Sequence, residues 1–329
     1  MYQEVKEYLG SDWVAFQDMF GKSLHSEMLL LNKINAYVLK HSGKQLRPLL
    51  TLLTGRAISG VNNEKVLRCA VAAELLHTAT LLHDDVADNS PQRRGAKTVM
   101  SLYSPTASVL VGDFWLSRAL DIIVMHCDNR VIGYFSQCLA HLAEGEMLQL
   151  EKASLLNATE EDYNTVIFCK TASLFKASMV SAAHSADASE EQMEAVESYS
   201  YHLGMAFQMM DDIFDYSPGL NTGKPVGADI LEKKITLPFF GFLQNAPRKI
   251  SSNFLKRLKS IGPDSMEEEK QSISREAIEL VERYEGLDYA YDRLEQEINK
   301  AVTAISILDD SPARSYLVVF ARHMSVRKR

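Results

Sequence analysis

Cysteine is scarce: Cys69, Cys127, Cys138 and Cys169 are the four in 329 residues, far apart and without CxxC spacing. That excludes a disulfide framework, argues against zinc, and suits small buried residues in a reducing compartment. Basic charge is short as well. Lys and Arg number 35 against 43 Asp and Glu, a formal net charge of −8, which speaks against nucleic acid as the main partner. The one basic run, Arg327-Lys328-Arg329, reads as a solvated terminus. No uncharged stretch reaches the ~18 residues of a transmembrane segment, and Met1-Tyr2-Gln3-Glu4 lacks the basic-then-apolar pattern of a secretory signal. A cytoplasmic protein is therefore expected. Linkers rich in Pro, Gly and Ser are missing, so residues 1–329 are expected to form a single domain. Alternating Val- and Thr-rich stretches between hairpin turns are missing too.

What the chain does have is helical period nearly throughout, and the expected class is all-α. Amphipathic patterns run over Val5–Phe20 and Leu24–Leu39, and Pro48 opens a third helix after the Gly43–Arg47 turn. Glu64–Asp88 reads as one long helix, followed by an Arg93-Arg94-Gly95 loop. Further helices are expected at Ser108–Met125, Arg130–Leu150, Thr159–Ala186 and Glu190–Asp215, then a glycine-bearing loop, Gly219–Asp229. Ile235–Leu243, Ser251–Ile261, Met266–Arg283, Leu287–Leu308 and Arg314–Met324 complete the chain.

Two stretches stand apart from this background. Leu82-His83-Asp84-Asp85-Val86-Ala87-Asp88 and Met210-Asp211-Asp212-Ile213-Phe214-Asp215 each place acids at i, i+1 and i+4 after an apolar run. At about 100° per residue, i and i+4 share a helix face, so Asp84 with Asp88, and Asp211 with Asp215, can aim at one point. Helix breakers follow both, Asn89-Ser90-Pro91 and Tyr216-Ser217-Pro218-Gly219, so each cluster sits at a helix C-terminus. That pole is partially negative and disfavours acids. A hard divalent cation such as Mg²⁺, taking oxygen ligands and shared with substrate phosphates, relieves the conflict. Basic residues lie beside both clusters: Arg93 and Arg94 after the first, Lys44 and Arg47 flanking a turn, Lys170 on a helix, Lys224 in the glycine loop. Together they suit two polyanions. Met205, Met209 and Met210 read as core filling.

The order of these motifs resembles that of a known family. Gly43-Lys44-x-x-Arg47-Pro48, His83-Asp84-Asp85-x-x-Asp88 with Arg93-Arg94-Gly95, Val111-Gly112-Asp113, and Glu144-Gly145-Glu146-x-x-Gln149 are followed by Lys170-Thr171-Ala172. Gly204-x-x-Phe207-Gln208-x-x-Asp211-Asp212-x-x-Asp215 and Gly223-Lys224-Pro225-x-Gly227-x-Asp229 come next. Over roughly residues 40–240 the chain is similar to trans-isoprenyl diphosphate synthases (polyprenyl synthetases). The resemblance implies a helical bundle around a deep central cavity, a homodimer, and a prenyltransferase joining isopentenyl diphosphate to an allylic diphosphate. It also implies about three Mg²⁺ ions with substrate bound. Asp84, Asp88 and Asp211 would hold the metal, with Asp85, Asp212 and Asp215 completing or supporting those shells. Arg93, Lys170, Thr171, Gln208, Lys224 and Lys234 would contact the allylic diphosphate, with Arg93, Lys170 and Lys224 in the catalytic role. Lys44, Arg47, His77 and Arg94 would hold isopentenyl diphosphate.

Product length depends on an apolar path leading away from the metals. Short-chain members of the family tend to place an aromatic four or five residues before the first aspartate. Here those positions are Thr80 and Ala79, with Leu76 one turn deeper as a partial floor. An open path, and a product longer than geranylgeranyl diphosphate, is expected, with peripheral membrane contact for its release; a short-chain synthase is the alternative. A terpene cyclase binds no second diphosphate, and a non-catalytic partner subunit usually lacks one aspartate motif, so both fit this sequence less well.

Overall fold

The computed structural model describes residues 1–217, 227–262 and 265–326, with side chains described as far as Met324. The described residues form helices joined by short turns, plus one hairpin of two-residue strands, Gln92–Arg93 and Ala96–Lys97. This all-α architecture matches the periodicity. The hairpin is an addition: Arg94 (φ 54°) and Gly95 (φ 76°) both take left-handed backbone, the conformation that closes a two-residue turn between antiparallel strands. The first amphipathic stretch also divides, into Tyr2–Leu9 and Ser11–Ser23, because Gly10 takes φ 51°.

Contacts group the chain into two compact units that interleave in sequence. The first comprises residues 1–137, 174–198 and 304–319, the second 138–173, 199–303 and 320–329. At the centre of the first is the Glu64–Ala87 helix. Asn63 caps its start by accepting a hydrogen bond from the Val66 backbone N–H at 3.0 Å. Val66, Cys69, Val71, Leu75, Leu76 and Leu82 are all buried, so this helix is covered on most sides, by the Pro105–His126, Leu46–Ser59 and Ser11–Ser23 helices. The neighbouring Cys127 and burial push the Cys69 thiol well up, and Cys69 in turn draws the Cys127 thiol down. All four cysteines are free, and all but the half-buried Cys127 are buried.

In the second unit, Phe239, Phe242 and Phe254 form an aromatic core with ring centroids 5.1 to 6.1 Å apart. Met205, Met209 and Met210 are buried, as core filling requires. Glu160–Ile167 starts on the capping box that Thr159 and Asp162 form. The expected continuous helix then widens into a π-helical turn, Phe168–Ala172, before resuming at Ser173–Ser185. Glu160–Ser185 is long and apolar enough to cross a membrane by length and composition, which the run of uncharged residues did not signal. Of its apolar window, 78% is buried inside the protein, as in a core helix.

Candidate active site

The first acidic cluster closes its helix as the breakers predict. Ser90 N–H donates to the Asp85 carbonyl at 2.9 Å and Asn89 N–H to that of Val86 at 3.2 Å, with Asn89 at φ 48°. This is a Schellman closure with asparagine in the left-handed position. The first cluster helix has no basic residue in its last turn, so nothing there on the helix offsets its negative pole. The three aspartates then diverge. Asp88 is exposed and Asp84 half-buried, whereas Asp85 is rotated inward and buried. Arg93 Nε donates to Asp85 Oδ1 at 2.6 Å. Burial pushes the Asp85 carboxyl up, against the pull of Arg93. Asp85 is thus the anchor that seats Arg93.

Glycine controls the approach of two neighbours. A Cβ on Gly43 would lie 2.3 Å from the Arg94 guanidinium, and one on Gly112 would lie 2.3 Å from the His83 ring. The residues of the Gly43-Lys44 and Val111-Gly112-Asp113 motifs therefore make room for side chains of the first cluster region. His83 Nε2 also lies 3.3 Å from Asp113 Oδ1.

Gly43, His77, Arg93 and Arg94 line one cavity within the first unit, together with Glu74 and Asp85. Burial pushes His77 well below its ordinary range, and the charges of Arg47, Arg94 and Arg93 reinforce this, so its ring is neutral. Arg47 is buried with its guanidinium 4.7 Å from the Phe175 ring centre. Lys44 is directed elsewhere, its ammonium 4.8 Å from the centre of the Tyr2 ring. Leu76 and Ala79 are fully covered in the core of the same helix, and the Thr80 hydroxyl donates to the His77 carbonyl at 2.8 Å.

The second cluster, in the other unit, repeats the division of labour. Asp211 is exposed near the end of the Glu190–Phe214 helix, which likewise has no basic residue in its last turn. Asp212 is buried and accepts hydrogen bonds from Tyr163 Oη and Gln208 Nε2, both at 2.8 Å. Burial above all, then the charge of Asp229, pushes its carboxyl up. Asp215 accepts from the backbone N–H groups of Ala228 (3.2 Å) and Asp229 (3.1 Å). It holds the start of the Ala228–Leu231 helix in place. Lys224 lies outside the described residues. Lys234 pairs with Glu232.

Lys170 and Thr171 sit on the π-helical turn. Lys170 Nζ is 2.5 Å from Glu146 Oε1 and 3.1 Å from Gln149 Oε1, and Thr171 Oγ1 donates to Gln208 Oε1 at 2.7 Å. Thr171, Gln208, Asp212 and Tyr163 therefore form one hydrogen-bonded chain. A Cβ on Gly145 would lie 2.5 Å from the Cys169 Cβ, so glycine lets the widened turn approach its neighbouring helix. Glu146, Gln149, Tyr163 and Glu74 carry these arrangements. Glu146 and Gln149 stand in a recognisable motif without an obvious role, Glu74 shows as one acid in an apolar run, and Tyr163 has no sequence signal. Among the described residues, no group of three or more His, Cys, Asp or Glu side chains is gathered as a metal site.

Residues 28–277 match the family described as polyprenyl synthetase. The chain is 34% identical over 319 residues to an octaprenyl diphosphate synthase of Haemophilus influenzae, covering 97% of this chain and 94% of that protein. Among solved structures it is similar to a decaprenyl diphosphate synthase from Rhodobacter capsulatus, with TM-score 0.91, 32% identity and all of both chains covered. It is also similar to a polyprenyl synthase from Caulobacter crescentus complexed with calcium and isoprenyl diphosphate, with TM-score 0.89 and 30% identity over 100% of this chain and 98% of that one. The motifs, the helical architecture and these relatives agree: the chain is a prenyltransferase and belongs to the polyprenyl synthetase family.

Proposed function

We propose that this enzyme condenses isopentenyl diphosphate with an allylic diphosphate, repeatedly, to make an all-trans polyprenyl diphosphate longer than geranylgeranyl diphosphate. The observation that carries the reading is the pair of acid-tipped helix ends with no basic residue in the last turn. Their donors are carboxylate oxygens at negative helix poles, which fits Mg²⁺ and the calcium named for the Caulobacter relative. Asp84, Asp88 and Asp211 would hold about three such ions with substrate bound, supported by Asp85, Asp212 and Asp215. When bound, the metal neutralises charge on the departing diphosphate.

The protein's own groups do the rest. Arg93, seated by Asp85, Lys170, seated by Glu146 and Gln149, and Lys224 accept the charge that grows on the leaving oxygens as the allylic C–O bond breaks. Thr171, Gln208 and Lys234 orient the same diphosphate. Arg47, His77 and Arg94 hold isopentenyl diphosphate, with Lys44 swinging from Tyr2 to join them. Its double bond attacks the allylic cation, and the adduct loses a proton to the released diphosphate. The cation must be kept from water, and the apolar interior along the Glu64–Ala87 helix supplies that shield.

The octaprenyl and decaprenyl relatives support a long product, as does the small side chain at Ala79. A homodimer in the cytoplasm completes the reading, with residues 1–329 acting as one domain and the long product leaving by peripheral contact with a membrane. An exposed stripe of Val109, Leu110, Leu120, Val124 and Met125 on the Pro105–His126 helix supports self-association. The test is to incubate the purified protein alone with Mg²⁺, labelled isopentenyl diphosphate and an allylic primer. Label entering an apolar, acid-labile product supports the reading; a cyclic hydrocarbon, or no product without a second protein, contradicts it.

A further inference from the structure

Glu74 interrupts the apolar run Ala72-Ala73-Glu74-Leu75-Leu76 and is 4% exposed. Its side chain lines the cavity shared by His77, Arg93 and Arg94, and its Oε2 has no hydrogen-bond partner. An unmet buried carboxyl oxygen weakens the fold, so its presence beside a binding cavity points to a use there. Burial raises Glu74 to about 7, opposed by the positive charges of Arg47 and Arg94. The charged and titratable groups around the cavity come from three neighbouring elements, while the Ser11–Ser23 and Pro105–His126 helices contribute Phe20 and Trp115 to its lining. These groups are Arg47 from the Leu46–Ser59 helix, Tyr37 and His41 from the Leu29–Lys40 helix and its C-cap, and Arg93, Arg94 and Lys97 from the hairpin. His77 and Asp85 share the helix of Glu74; the first is neutral and the second is engaged by Arg93.

Above pH 7 and before a diphosphate binds, the Glu74 carboxylate is an anion within the field of Arg47 and Arg94. A diphosphate entering the same cavity draws those guanidinium forks to its own oxygens and brings several negative charges close to Glu74. Like charges favour the neutral acid. We infer that Glu74 is a proton-coupled positioning residue of the isopentenyl diphosphate pocket: its carboxyl takes a proton from solvent as the homoallylic diphosphate binds, which frees Arg47 and Arg94 to clamp the phosphates. The inference rests on the prenyltransferase reading and adds a pH-dependent element to one of its two substrates.

Two measurements test it. Calorimetric titration of the wild-type protein with isopentenyl diphosphate at pH 8, in buffers of different ionisation enthalpy, is expected to show close to one proton taken up per molecule bound. Glu74→Gln, which keeps the shape of the neutral acid, is expected to lose that uptake. It should also flatten the rise in KM for isopentenyl diphosphate above pH 7, which reaches up to about tenfold per pH unit in the wild type. Its kcat at saturation should stay within about twofold of the wild type, since no bond-making step uses Glu74. A wild-type titration without proton uptake overturns the inference, and so does a variant with an unchanged pH slope. If the wild type turns over but either of those results appears, only this inference falls. If the wild type condenses no isopentenyl diphosphate at any pH, the prenyltransferase reading falls and the inference with it.

Discussion

Lys170 Nζ lies 2.5 Å from the Glu146 carboxylate, and this pairing explains why the Glu144-Gly145-Glu146 motif belongs to the site. The lysine sits on a widened helical turn that only a glycine at 145 lets close, and the glutamate on the facing helix fixes its direction. Substituting Glu146→Ala is expected to lower kcat/KM for the allylic diphosphate by about 10- to 100-fold, because a misdirected charge stabilises the leaving group poorly. Steady-state kinetics with varied allylic substrate check this. An unchanged value would show that Lys170 finds its position without Glu146.

Gly43→Ala puts a methyl group 2.3 Å from the Arg94 guanidinium. The obstructed atoms are the far end of a flexible side chain, so Arg94 should move while the fold persists. The expected result is a raised KM for isopentenyl diphosphate with a melting temperature near the wild type. A large loss of stability with normal KM would contradict the arrangement.

Tyr163→Phe removes a hydrogen-bond donor from buried Asp212. Leaving that oxygen unmet is expected to cost about 1–3 kcal/mol, read from the midpoint of denaturant unfolding. The same variant should loosen Gln208 and Thr171, which share the chain of hydrogen bonds, and so raise KM for the allylic diphosphate.

Much of this was legible in the sequence. The helices follow from apolar period, the cluster-ending turn from Asn89-Ser90-Pro91, and the outward pair Asp84 and Asp88 from their i, i+4 spacing. The intervening aspartates are rotated by about 100°, which turns Asp85 and Asp212 inward as anchors for Arg93, Gln208 and Tyr163. Their partners were not legible, because Tyr163 lies 49 residues from Asp212 and only folding brings them together. The π-helical turn at Phe168–Ala172 carries no proline or glycine of its own. The room it needs comes from another helix, at Gly145, beyond the reach of a local pattern.

Glu74 also bears on stability. Its carboxyl titrates at about 7 in the folded protein against 4.5 in the unfolded chain. Its contribution is therefore fully present below pH 4.5 and is lost as pH rises through 7. By pH 8 the charged form costs roughly 3 kcal/mol. Glu74→Gln should match the wild type in unfolding free energy at pH 4 to 4.5 and exceed it at pH 8. Equal stability at both pH values would mean that the carboxyl is not buried as described.

Ala79 is fully covered and small, and Ala79→Phe or Ala79→Tyr places an aromatic ring on the proposed apolar path, one turn before the first aspartates. Products are expected to shorten toward geranylgeranyl or farnesyl length while the first condensation continues. Unchanged length would place the path along another face of the helix.

The most direct test is the length of what the enzyme makes. The purified chain alone, given Mg²⁺, isopentenyl diphosphate and an allylic primer, should yield dephosphorylated alcohols that migrate on reversed-phase chromatography beyond geranylgeraniol. Products stopping at or before geranylgeraniol would contradict the long-chain assignment, and the absence of any prenyl alcohol would contradict the account as a whole.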